Sequence, residues 1–257
     1  MGDSLHLPRT WSWPGVFSVE QHEVRGDDWV VMRQTQAGAR SLQWRPAAAG
    51  WTALWFLSRG EAWAGGRAIR PGVWEPIVFG HPCVTSHHGE VWMVAARRPL
   101  PPERFAGLEP NAAGLEAVLR LASSEAATPV DEDTRSLAAA IASLTNRLET
   151  SPTSMELSEA IELDDRRTSE AAARYFARFH ATVGGWREYL RALRLELALS
   201  AFSANRSTKD VARWLGFRNA TALLHSMKKE GLPTPGALRA AELEPGPANV
   251  LSRLLQR

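Results

Sequence analysis

The sequence is short of several things, and each shortage excludes something. One cysteine, Cys83, in 257 residues rules out a disulfide framework and a cysteine-rich zinc site, and sets the expectation of a reducing cytoplasm. No apolar run approaches the roughly 18 residues of a membrane span. The opening stretch MGDSLHLPRTWSW has neither a charged leader nor an apolar core, so neither a signal peptide nor a membrane partner is expected. There is no Gly-rich phosphate loop, nucleophile elbow or HExxH, so no catalytic residue and no cofactor is expected. Lysine is scarce as well. The three in the chain, Lys209, Lys228 and Lys229, all fall between Ser207 and Arg239.

With 44% apolar residues the chain can bury a core, and its length suits two domains. The net charge of +2 says little by itself, but its distribution is uneven. Residues 1–163 hold 14 Arg against 19 acidic residues, whereas residues 164–239 hold 14 basic against 7 acidic residues. The basic part is where a nucleic-acid contact belongs.

From Val16 to Arg98 the sequence reads as short strands. VFSVEQHEV, WVVMRQ, WTALWFLSR and EVWMVAARR cluster β-branched and aromatic residues between Gly and Pro signals, the pattern of a sandwich or barrel. Nine of the eleven tryptophans lie between Trp11 and Trp92. Core filling accounts for most of these rings, and a few could line an effector pocket. The Gly65-Gly66 pair reads as a hairpin turn. His81, Cys83, His87, His88 and Glu90 are of metal-ligand type, but adjacent His87 and His88 would point to opposite faces of a strand, so no metal is expected.

Two helical patterns follow, Ala112 to Ser124 and Asp133 to Glu149, separated by Ala127-Thr128-Pro129, with Asp131-Glu132-Asp133 as the acidic start of the second. Leu137, Ile141, Leu144 and Leu148 form a narrow apolar stripe, suited either to packing within the chain or to a homodimer contact. Thr150 to Ser154 reads as a flexible linker open to proteolysis.

Between Ser207 and Arg239, Val211, Ala212 and Leu215 share a helix face, Gly216 stops that helix, and a second begins near Asn219. Leu223, Leu224 and Met227 are expected on its buried side. Arg218, Asn219, Thr221, His225, Lys228 and Lys229 decorate the rest, a set suited to a major-groove reader.

This stretch resembles the second helix-turn-helix of the AraC/XylS family of bacterial transcription regulators. The likeness is carried by Val211-Ala212, Gly216-Phe217, Leu223, Met227, Lys228-Lys229, Thr234-Pro235 and Arg239, with Gly231-Leu232-Pro233 and Met227 departing from the usual pattern. Upstream, TSEAAARYFARF is expected to open with Thr168 as an N-cap and to form the reading helix of a first unit. WREYLRALRLELALSAF matches the family's connecting helix through Trp186, Leu190, Leu193 and Leu197. Either Tyr175 or Phe176 takes the family's aromatic position; the register that uses Phe176 brings Arg174 to the bases, and the other brings Ala173.

The resemblance implies an α+β chain in which an N-terminal cupin-like β-barrel precedes an all-α double helix-turn-helix domain. Its expected parts are a sensor domain over residues 1–105, a helical dimerisation or packing segment and linker over 106–154, the DNA-binding domain over 155–245 and a short C-terminal helix over 246–257. The implied function is sequence-specific binding of double-stranded DNA to regulate transcription, with RNA polymerase, a small-molecule or protein effector and a second copy of the chain as further partners. The DNA-contacting residues would be Arg218, Asn219, Ala220, Thr221, His225, Lys228 and Lys229 in the second unit, and Arg166, Arg167, Ser169, Arg174 and Arg178 in the first. In that unit Asp164 and Asp165, at the turn, would weaken its hold on DNA through repulsion from phosphates. Two alternatives stand beside this reading: a cupin-type barrel enzyme with an accessory helical domain, and a member of the family that has lost specific DNA binding and acts through protein contacts.

Overall fold

The computed structural model describes residues 4–40, 42–43, 50–64, 67–76, 83–111, 114–123, 130–179 and 183–242. The strands are β1 (Leu5–Trp13), β2 (Phe17–Arg25), β3 (Trp29–Ala37), β4 (Leu42–Gln43), β5 (Thr52–Arg59), β6 (Ala62–Ala64), β7 (Arg67–Ala68), β8 (Trp74–Pro76), β9 (Cys83–Thr85) and β10 (His88–Ala96). The helices are α1 (Leu115–Ala122), α2 (Glu132–Thr145), α3 (Ser154–Ala160), α4 (Asp165–Phe179), α5 (Trp186–Ser203), α6 (Thr208–Trp214), α7 (Ala220–Lys229) and α8 (Pro235–Glu242). The chain is thus a mixed α+β protein, strands first and helices after.

The described strands form two antiparallel sheets and not one closed barrel: six in the order β1-β2-β3-β10-β5-β8, and four in the order β4-β9-β6-β7. The tryptophans do fill interiors. Trp29, Trp74 and Trp92 are buried with Phe105 and Val118 where α1 covers one face of the larger sheet, and Trp55 is buried with Leu57, Ile69 and Val91.

β1 alternates cleanly between buried and exposed residues, as a strand does when one face is covered. Its buried face, Leu5, Leu7 and Trp11, belongs to the same core as α2, α4, α5, α6 and α7. The Trp11 indole N–H donates to the Thr145 carbonyl at 2.9 Å, and the Trp214 ring of α6 lies 5.3 Å from Trp13 and 5.4 Å from Phe17. Sheet and helices therefore share one continuous core.

One open alternative narrows and one sequence expectation changes on this account. The stripe of Leu137, Ile141, Leu144 and Leu148 is buried in that shared core, which leaves none of the four side chains on the surface for a second copy. Thr150 to Ser154 is an ordered connection and not a loose linker. Leu148–Thr150 is a short 3-10 turn, Ser151 takes a left-handed φ of 52°, its hydroxyl donates to the Gly216 carbonyl, and Thr153 begins α3 with a reciprocal capping box to Glu156.

The acidic start of α2 is present: Asp131 is its N-cap and accepts from the Thr134 N–H at 2.7 Å. The expected Ala112 to Ser124 helix is seen as α1. The Gly65-Gly66 turn, the Ala127-Thr128-Pro129 break, His81 and the C-terminal helix over 246–257 lie outside the described residues. No helix among those described is long and apolar enough to cross a membrane.

Candidate nucleic-acid interface

The second helix-turn-helix is built as its sequence dictates. Ser207 caps α6, its hydroxyl accepting from the Asp210 N–H at 3.2 Å. At the other end Gly216 sits at φ +68°, its N–H reaches the Arg213 carbonyl at 3.1 Å, and the Phe217 N–H reaches that of Ala212 at 2.8 Å. These paired bonds close a Schellman-type turn, which requires a left-handed residue. A side chain at 216 would also collide with the loop before α3, since a Cβ there would stand 2.5 Å from the Leu148 carbonyl oxygen. Asn219 then caps α7, its side-chain oxygen accepting from the Ala222 N–H at 2.9 Å. That oxygen is committed to the helix, so only the amide group of Asn219 is left to meet a ligand.

On α7, Leu223 and Met227 are buried and anchor the helix. The expected reading set is on the outside: Arg218, Asn219, Thr221, His225, Lys228 and Lys229 are all exposed, and Ala220 is half-buried. The side chains of Arg218, Thr221, His225, Lys228 and Lys229 make no hydrogen bond or ion pair among the described residues. Leu224 is a correction, because it is 40% exposed and does not share the buried side with Leu223. The unusual Gly231-Leu232-Pro233 segment still closes the helix, with Gly231 at φ +69° and a buried Leu232 whose N–H bonds the Met227 carbonyl at 2.9 Å.

The first unit, α3–turn–α4, repeats the plan of the second with a connection one residue shorter, its left-handed residue and its cap lying two positions apart instead of three. Glu162 takes φ 55°, its N–H meets the Glu159 carbonyl at 3.3 Å, and the Leu163 N–H meets that of Ser158 at 3.1 Å. The position that Gly216 holds in the second turn is therefore held by Glu162 in the first. Thr168 is not the N-cap. α4 starts a full turn earlier, with the Asp164 carboxylate accepting from the Arg167 N–H at 2.9 Å, and Thr168 is buried inside the helix.

Matching the two caps, Asp164 with Asn219, brings buried Thr168 onto buried Leu223 and buried Ala172 onto buried Met227. In that correspondence Asp165, Arg166 and Glu170 stand where Ala220, Thr221 and His225 stand in the second unit. Ala173 and Arg174 correspond to Lys228 and Lys229, at the end of the helix away from its N-terminus. Tyr175 and Phe176 are both buried.

The remaining first-unit arginines are largely engaged. Arg166 pairs with Glu170 at 3.0 Å, Arg167 lies 3.6 Å from the Asp164 carboxylate, and Arg178 reaches Asp27 in the β2–β3 turn at 2.7 Å. Ser169 and Arg174 are exposed, and Arg174 borders a groove of about 580 Å³ that also includes Asp131, Asp133, Arg167 and Glu170. Arg178 is thus spent on the sheet, while the outer face of α4 mixes both signs of charge.

Behind the first unit lies a buried charge cluster that sequence inspection did not single out. Glu23 on β2 meets Arg25 at 2.6 Å and Arg9 at 3.9 Å, with Glu23 only 5% and Arg9 only 4% exposed. Arg9 donates to the Tyr189 hydroxyl of α5, and Arg25 donates to the Phe179 carbonyl at the end of α4. Burial works against the Glu23 charge, but Arg25 and Arg9, with hydrogen bonds from Arg25 and Gln21, outweigh it and hold the carboxyl below its ordinary range.

Glu90, named with the metal-type residues, is held by Arg33 through two contacts at 3.1 Å and by the Trp92 indole at 3.0 Å. No three His, Cys, Asp or Glu residues among those described come together as a metal site. No protein-family model matches the chain, and no curated protein matches it.

Proposed function

We propose that the protein is a sequence-specific DNA-binding transcription regulator of AraC/XylS type, in which the second helix-turn-helix reads bases and the first acts mainly as a support. The observation that carries this reading is the pair of twin turns flanking α5, one of which presents Arg218, Thr221, His225, Lys228 and Lys229 outward without partners among the described residues. Such a helix offers base-reading groups near its N-terminus and phosphate contacts at its basic end. The first unit has Asp165 and Glu170 at the corresponding base-facing positions, and these repel the phosphate backbone.

The N-terminal half serves as the sensor, with a cupin-like architecture. Its chain passes repeatedly between the two sheets, from β3 to β4, back to β5, then to β6 and β7, back to β8, on to β9 and back to β10. That alternation suits a double-sheet jelly roll. A small molecule or protein held there is the effector, no reaction is assigned to the chain, and RNA polymerase and a second copy are the further partners of this reading.

The test is a footprint of the purified full chain on the DNA upstream of its own coding region, at two salt concentrations. One strongly protected major-groove segment is expected, with a fainter neighbour about 10 base pairs away. His225→Ala is expected to lower discrimination among sites by about 1–3 kcal/mol while sparing nonspecific binding. Equal loss on specific and random DNA refutes the assignment of His225, and absence of any protected segment refutes the function. The carboxylates Asp165 and Glu170 on the mixed-charge face of α4 favour a second reading, in which the protein has lost specific DNA binding and works through protein contacts; that reading predicts the empty footprint.

A further inference from the structure

We infer that Leu224 is a specificity-determining residue of the second unit and selects thymine, through its C5-methyl group, in the major groove. The inference rests on the DNA-binding function proposed above and adds a base preference to it. Leu224 is one of three large hydrophobic side chains among the described residues that stand substantially exposed, with Val73 and Met155, and, unlike Met155, which stands on α3 beside Glu156 and Glu159, it shares its helix with exposed Thr221, His225 and Lys228. Burial in the chain's own core does not account for it, because the anchoring of α7 is complete with Leu223 and Met227, both buried.

Helical geometry gives Leu224 its neighbours. At about 100° per residue it lies one turn beyond Ala220 and about 60° around from Thr221, so the Ala220 methyl, the Thr221 methyl and the Leu224 isobutyl group form one apolar strip. The strip runs along the N-terminal half of α7, the half that meets base edges in docked helix-turn-helix units. Lys228 continues the same ridge one turn later, so the strip ends on a cation placed to meet a phosphate. Charge and shape together select the occupant: a polyanion whose exposed edge carries methyl groups. In the major groove only thymine offers one, on C5, and apolar side chains are its natural partner. A protein partner would leave unexplained the cations beside the strip, which have no partner among the described residues.

The experiment uses the full-length protein and a duplex selected by it from a randomised pool. Thymines in the segment protected by the second unit are replaced one at a time by uracil, which keeps every hydrogen-bonding group and removes only the methyl. Loss of the contacted methyl is expected to weaken wild-type binding about fourfold, the factor for removing one buried methylene-sized group. Leu224→Ala is expected to weaken binding to the thymine duplex by a similar or larger factor and to bind the uracil and thymine duplexes equally. Leu224→Met, which keeps an apolar contact, is expected to retain the preference. Thermal unfolding of each variant checks that the fold is intact, as an exposed position allows. The inference is overturned if Leu224→Ala discriminates thymine from uracil as well as the wild type does, or if no substitution matters to the wild type while specific binding persists. Failure of the selection to yield any preferred duplex is the distinct result that removes the DNA-binding function and this base preference with it.

Discussion

Replacing Glu23 by Gln tests the joint between the sheet and the helices more directly than any other change. The side chain keeps its size but loses the charge that Arg25 and Arg9 both contact, so two buried guanidinium groups lose their carboxylate with almost no access to water. Removing one partner of a buried ionic cluster costs about 3–5 kcal/mol, against a total stability of about 5–15 kcal/mol for a domain. With a urea slope of about 3 kcal/mol per molar, the unfolding midpoint should fall by about 1–2 M. Because Arg9 and Arg25 also hold Tyr189 and the end of α4, fluorescence from the tryptophans of the sheet and circular dichroism from the helices should shift together.

The pH dependence has a definite sign. The folded Glu23 carboxyl is held below its unfolded value of about 4.3, so its contribution is complete above that pH and is lost as pH falls through the folded value. The gap between wild type and Glu23→Gln should be constant from about pH 5 to 8 and narrow only below about 4.3. Glu20→Gln, at an exposed site on the same strand, is the control. A midpoint shift no larger than that of the control, or a gap that widens in acid, would refute the reasoning.

The twin turns respond oppositely to a change of Cβ. Gly216→Ala should destabilise by about 1–3 kcal/mol, since a left-handed residue gains a Cβ that also presses on the Leu148 carbonyl, whereas Glu162→Gly should stabilise by roughly 1 kcal/mol through relief of the same penalty; chemical denaturation measures both, and changes of the same sign would contradict the twin geometry. Glu170→Gln removes an acid and releases Arg166, so titrations against random duplex DNA should show tighter binding and a salt slope steeper by about one unit. An unchanged slope there would place α4 away from DNA. Lys228→Ala and Lys229→Ala should each weaken binding to all sequences and flatten that slope by about one unit, and a variant that leaves it unaltered does not touch a phosphate.

The second unit was legible because its signals coincide: a stop glycine, an Asn in cap position, apolar residues four apart and the only lysines of the chain. The first was misjudged for a physical reason. Its left-handed turn position is occupied by Glu162, which carries no sequence mark of that conformation, and Thr168 resembles a cap while lying buried one turn inside α4. Leu224 was placed inside because two adjacent leucines look alike in a sequence, yet neighbours on a helix point about 100° apart and only the phase set by Leu223 and Met227 decides between them. The strand-rich half was readable as strands, but their division into two sheets depends on long-range pairing that no local pattern encodes. The charge cluster was not legible for a similar reason: Arg9, Glu23 and Arg25 carry no local mark of burial, and Tyr189 and the Phe179 carbonyl, which Arg9 and Arg25 meet, lie more than 150 residues away in the chain.

That covering sets an order of events during synthesis. β1 and β2 leave the ribosome early, but the surfaces that bury Leu5, Leu7 and Trp11 and the Tyr189 hydroxyl that accepts from Arg9 come from helices running to Ser203 and beyond. At about 5–20 residues per second the hairpin waits on the order of 10–40 s with an apolar face unclaimed. Contacts between segments so distant in the chain also form slowly once both are present. Expression of the strands without the helices should therefore give aggregates instead of an isolated folded domain.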